Sequence, residues 1–124
     1  MSEENSALRG AIQETLRGIG IPEQIKAFLY LQEAALLAVE EEQEEQEEQW
    51  SAQSLYAQVA RAHQTTLSRV DRAVRHGLEV SMDRQKGVLN TLVGKPVLLQ
   101  EEESKREVIG AIAEKALQDC RTPQ

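Results

Sequence analysis

Three observations predict an all-α fold of about six helices, containing a helix-turn-helix, in one domain covering residues 1–124. Apolar residues recur every three to four positions in at least five segments, the spacing of one face of a helix. Leu, Ala, Glu, Gln, Lys and Arg, all good helix formers, are abundant. Aromatic residues are confined to Phe28, Tyr30, Trp50 and Tyr56, so strand formers are sparse and the core must be aliphatic. A chain of 124 residues has room for one such core and not for two.

The elements are expected in this order. A first helix over 6–17 carries Leu8, Ile12 and Leu16 one turn apart and stops at Gly18-Ile19-Gly20-Ile21-Pro22, a glycine-rich end followed by a proline suited to a first helical position. The second helix starts there, with Ile25, Phe28, Leu29, Leu36 and Leu37 as its apolar residues. It runs toward the single low-complexity segment, the Glu/Gln run 40–49, where like charges at helical spacing repel. A frayed helix end or acidic connector is expected there. The third helix runs from a Ser51 cap to Ala62 with Leu55, Val59 and Ala60 inward. Residues 63–66 break it, and a fourth helix spans 67–83, capped by Thr66 or Ser68. A short fifth helix occupies 87–93. The last runs over 104–117 with Ser104 and Glu107 as a capping box and the stripe Val108, Ile109, Ile112, Ala113, Ala116. Residues 119–124 read as a disordered tail.

Charge narrows the function. The formal net charge is −7, yet positions 40–48 alone hold seven Glu, so the remainder sums to zero. Positions 58–76 carry Arg61, Arg69, Arg72 and Arg75 against Asp71, with both histidines alongside, a balance that favours an anionic partner. The sequence shows no phosphate loop, nucleophile elbow or metal-binding His-Glu motif, and a single cysteine, Cys120, forms no internal disulfide. No apolar stretch reaches the length of a membrane span. No catalytic residue, metal, cofactor, membrane or small-molecule substrate is therefore expected, and the compartment implied is the cytoplasm.

The segment 55–83 carries the chemistry. Two helices joined by about four polar residues form the outline of a helix-turn-helix. Val59 and Ala60 are expected to pack onto Val70 and Val74. Val70, Val74, Gly77, Leu78 and Ser81 or Met82 fall on one face of the fourth helix; Ser68, Arg69, Arg72, Arg75, His76 and Glu79 fall on the other. Three arginines and a histidine within about two turns suit major-groove reading, because Arg can bond bidentately to guanine. A solvated basic face has the same spacing, and helix pairs of this kind also occur in proteins that never touch DNA.

The string Leu55-Tyr-Ala-Gln-Val-Ala-Arg-Ala-His-Gln-Thr-Thr-Leu-Ser-Arg-Val-Asp-Arg-Ala-Val-Arg-His-Gly-Leu-Glu-Val80 resembles the C-terminal DNA-binding effector domain of the stage-zero sporulation response regulator, of the sporulation initiation factor A type. The lead-in Ile19-Gly-Ile-Pro-Glu-Gln-Ile-Lys-Ala-Phe-Leu-Tyr-Leu-Gln-Glu-Ala34 is similar to the same domain. The resemblance spans 8–83 and extends to the final helix. It implies a transcriptional regulator with helix 67–83 in the major groove of promoter boxes on double-stranded DNA. Thr66, Ser68, Arg69, Asp71, Arg72, Arg75 and His76 then stand at the DNA-binding positions, and a homodimer forms on DNA through the last helix. Several departures stand beside it: Asp71 where the family usually has Glu, Gln24 and Gln32 where it has His and Arg, and an acidic run in place of a mixed connection. No receiver domain of the kind that normally precedes the module is expected here, and with it no phosphorylation in cis. The alternative is a receiver-less interaction module that dimerises with or sequesters a regulator without binding DNA.

Overall fold

Helices α1 Glu3–Gly18, α2 Lys26–Gln43, α3 Ala52–Ala62, α4 Leu67–Arg84, α5 Val88–Val93 and α6 Glu102–Arg121 follow one another in the computed structural model, which describes residues 3–43 and 50–121. Among those residues there is no strand, as the helical periodicity predicts. Residues 44–49 of the acidic run lie outside the described residues, and 40–43 form the end of α2. Of the expected tail, residues 119–121 are helical and 122–124 lie outside the described residues.

Helix α2 is the axis of the fold. It packs against α1, α3, α4 and α6, and Ala27, Phe28, Tyr30, Leu31, Ala34, Ala35, Ala38 and Val39 are all buried. A helix buried on more than one side needs small residues where neighbours come close, and four alanines meet that need. Helix α6 lies against α1, α2, α3 and α5 and buries Val108, Ile109, Ile112, Ala113 and Ala116, the stripe read from the sequence.

Helix α1 begins at Glu3, three residues before the expected start, and the starts of α2 and α6 also differ from expectation. Helix α1 ends in a Schellman turn: the Ile21 N–H donates to the Leu16 carbonyl at 3.1 Å and the Gly20 N–H to Arg17 at 3.0 Å. Gly20 takes a φ of +85°, which a residue without Cβ adopts freely. The chain then makes a further turn in which the Ile25 N–H reaches the Pro22 carbonyl at 3.4 Å. Helix α2 therefore begins at Lys26, and Pro22 belongs to the turn rather than to the first helical position. At α6 the helix opens at Glu102, two residues before Ser104. The Ser104 hydroxyl accepts instead from the Leu98 N–H at 3.1 Å, fastening the α5–α6 connection, and Glu107 pairs with Lys95.

The seat of α4 on α2 is a close approach of two helices. A Cβ built on Gly77 would stand 2.2 Å from the Ala27 Cβ. The buried Ser81 hydroxyl, one turn further on, donates to the Ile19 carbonyl and fixes α4 lengthwise. Helix propensity alone makes Gly77→Ala favourable by about 1 kcal/mol; the collision with Ala27 reverses the sign. Urea denaturation of Gly77→Ala is expected to show a net loss of about 1–3 kcal/mol, partly recovered by adding Ala27→Gly. A variant as stable as the parent chain contradicts the close seat.

Candidate nucleic-acid interface

Helix α3 starts with a reciprocal cap. Ser51 Oγ accepts from the Ser54 N–H at 3.0 Å, and Ser54 Oγ accepts from the Ser51 N–H at 3.2 Å. At the other end the chain reverses over residues 63–66. The Thr65 N–H reaches back to the Ala60 carbonyl at 2.9 Å, with Gln64 in the left-handed region at φ 56°. Thr66 follows in extended geometry and caps α4, its Oγ1 accepting from the Arg69 N–H at 3.2 Å. This removes an unsatisfied donor from the first turn, and Ser68 takes no part in it. Val59, Ala60, Val70 and Val74 are all buried where α3 packs on α4.

Burial divides α4 as the spacing predicts. Val70, Val74, Gly77, Leu78 and Ser81 face the core. Ser68, Arg69, Arg72, Arg75, His76 and Glu79 are exposed, as is the cap Thr66. Among the described residues Arg69 and Arg72 make no ion pair or hydrogen bond with another side chain. Both guanidinium groups therefore have their donors free for a ligand. Arg75 differs: its Nη2 lies 3.8 Å from Asp71 Oδ2.

Asp71 is half-buried at the margin between the two faces. Its Oδ1 accepts from Lys105 Nζ of α6 at 2.9 Å. Lys105 is only 5% exposed, and its ammonium also donates to Glu102 Oε1 at 3.0 Å. Burial works against the Lys105 charge, but the bonds to Asp71 and Glu102 outweigh it and the pKa lies above the ordinary lysine value. Beside this cluster Tyr56 is almost wholly buried. Burial first, and the Asp71 carboxylate second, push its phenol well above the usual tyrosine range.

Lys105 escaped the sequence reading, although its register carried a signal. Positions 105, 109, 112 and 116 share one face of α6, so a lysine stood in line with the apolar stripe. Arg106 also went unnoticed. Its Nε donates to the Trp50 carbonyl at 2.9 Å and its guanidinium lies 4.8 Å from the Trp50 ring centre, tying α6 to the residue that leads into α3. Nothing in the local sequence pairs those two positions.

Among the described residues no three His, Cys, Asp or Glu side chains are grouped to hold a metal ion, and no helix is long and apolar enough to cross a membrane.

Helices joined by a four-residue reversal, with unpaired arginines on the second, are the arrangement of an all-α domain of the helix-turn-helix class. The family comparison carries the assignment further. The family model described as sporulation initiation factor Spo0A C terminal matches residues 12–116, so the chain belongs to that family of DNA-binding effector domains of sporulation regulators. The family is not an enzyme class. The match takes in α2 to α5 whole, the C-terminal part of α1 and most of α6.

The raised Tyr56 and Lys105 values make an alkaline prediction. A group whose pKa is higher in the folded than in the unfolded chain contributes stability below its unfolded pKa and loses it as pH rises. Stability should therefore fall as pH climbs past the ordinary tyrosine and lysine values of 10.0 and 10.5. Phenolate absorbance attributable to Tyr56, taken as the difference from Tyr56→Phe, should appear only with unfolding. Titration of that phenol near pH 10 in a folded protein contradicts the buried placement.

Proposed function

We propose that the chain is a sequence-specific transcriptional regulator that lays α4 in the major groove of promoter boxes. The observation that carries this reading is the outward face of α4, where Arg69 and Arg72 are exposed and unpaired and Ser68, Arg75 and His76 lie within the same two turns. Arginines left without protein partners keep their bidentate donor geometry for guanine O6 and N7. Thr66 and the first turn of α4 stand where a phosphate meets a helix N-terminus, with the Leu67 and Ser68 N–H groups lacking intrahelical acceptors. Membership of a DNA-binding effector family supports the same reading. A cytoplasmic location, alongside the DNA, is part of the same proposal.

The roles divide by chemistry. Thr66 and Ser68 suit phosphate contacts that set register, and Arg69, Arg72 and His76 suit base edges. Arg75 and Asp71 lie at the α6 side of the face. Pairing of two copies on adjacent boxes, with α6 contributing to the contact, belongs to the same proposal. Two tethered sites raise apparent affinity even when the protein–protein contact is weak.

The purified chain is expected to prefer a family-type promoter box over random duplex, with affinity falling as salt rises. Arg72→Ala should lose about 1–3 kcal/mol on the box and much less on random duplex. Equal binding to both duplexes, or to neither, sinks the major-groove reading and returns the chain to the interaction-module alternative. A loss on Arg72→Ala below about 0.5 kcal/mol would leave that residue as a solvated charge.

A further inference from the structure

We propose that Lys105 is a positioning residue of the DNA-facing surface: it holds the Asp71 carboxylate against α6, so that this acid neither reads bases nor draws Arg75 away from the duplex. The proposal rests on the DNA-binding reading above. Its ground is the division of the Asp71 oxygens. Oδ1 takes the Lys105 ammonium at 2.9 Å while Oδ2 faces Arg75 at 3.8 Å. The carboxylate thus stands between a buried cation behind it and an exposed cation in front.

Lys105 cannot serve DNA directly. Its side chain is 5% exposed, and its ammonium already donates to Asp71 and Glu102. A buried ammonium without acceptors is strongly disfavoured, so the lysine imposes a demand on its neighbours. Glu102 is 55% exposed at the first residue of α6, where water can take its place as acceptor, whereas Asp71 is 28% exposed and meets the ammonium from the facing helix. Aspartate suits this task better than glutamate, because its shorter stem keeps the carboxylate close to its own backbone and near α6. Tyr56, Val74, Leu78 and Leu99 border the same small space, so the pair sits among apolar side chains where its attraction is weakly screened.

The consequence follows from electrostatics. With Lys105 in place, Asp71 is neutralised from behind and attracts Arg75 weakly. Without it, a free carboxylate remains at the margin of a phosphate-binding face, repels the duplex and draws Arg75 into a full i,i+4 pair. Loss of Lys105 should therefore injure DNA recognition through Asp71, and removing the Asp71 charge should repair that injury.

The test uses the full chain and a duplex that the unmodified chain itself enriches from a random pool, with unselected duplex as reference. Lys105→Met keeps an unbranched apolar stem, one atom shorter, and removes the ammonium with its charge and donors. It should lower affinity for the selected duplex about tenfold and cut the preference over unselected duplex severalfold. Adding Asp71→Asn should restore most of both. Asp71→Asn alone should leave the preference within about twofold, because the acid reads no base. Circular dichroism melts run in parallel, and Lys105→Gln with Asp71→Asn supplies a second, hydrogen-bonding pair should the methionine variant unfold. A folded Lys105→Met with unchanged preference overturns the proposal. So does a loss that Asp71→Asn fails to repair, which marks Lys105 as packing alone, or an Asp71→Asn variant that no longer discriminates base changes. Failure of the unmodified chain to enrich any sequence overturns the DNA-binding reading itself, a result separate from all of these.

Discussion

Helix α4 can present a face to a ligand only because it can lie down on α2, and that depends on Gly77. The contact leaves no room for a methyl group: a Cβ there would meet Ala27 at 2.2 Å. Interiors pack at crystal-like density and yield little to overpacking, so the meeting of two backbones at this point fixes both the depth and the rotation of α4. The Ser81 bond to the Ile19 carbonyl fixes its position along the axis. With rotation and position set, the side on which Arg69, Arg72, Arg75 and His76 emerge follows from helical geometry alone. Preorganisation of this kind reduces the ordering that binding would otherwise require.

Charge is arranged at a finer scale than the whole chain. A net charge of −7 suggests a protein that avoids nucleic acid, yet repulsion from distant acids is screened within about 8 Å at physiological salt. What a phosphate meets on α4 is set by the residues of that face. The acids nearest the arginines are the ones that matter, and the structure treats two of them differently. Glu79 is exposed on the face itself, whereas Asp71 is drawn to its margin by Lys105. The buried pair is therefore better understood through what it does to the surface than through the stability it adds, since a buried ion pair is weak support for stability.

Much of the fold was legible in the sequence because its signals are local. Thr66 as cap, the inward set from Val70 to Ser81 and the outward arginines all follow from a period of 3.6 and from capping chemistry. The start of α3 at Ser51 was legible for the same reason. What escaped depends on residues far apart in the chain. Pro22 has the right residue type for a helix start, but the Schellman turn at Gly20 and the turn after it delay α2 to Lys26. Ser104 has the right spacing for a capping box, but its hydroxyl is taken by Leu98. The link from Lys105 to Asp71 spans 34 positions, and periodicity within one helix says nothing about which side chain of another will face it. Membership of the family was carried by a contiguous string around α3 and α4, and the family match over residues 12–116 agrees with it.

The central claim is that one rigid face, the outward side of α4, meets the duplex. Amide chemical-shift changes of the isotopically labelled chain on adding a promoter-box duplex test it most directly, because they map the contact without altering any residue. The account predicts that the largest changes fall on positions 66–79 of α4, with those of the buried set small. Changes centred instead on the open depression between α1, α5 and α6, lined by Ile19, Val88, Leu92 and Lys115 among others, or spread evenly over the chain, would contradict it.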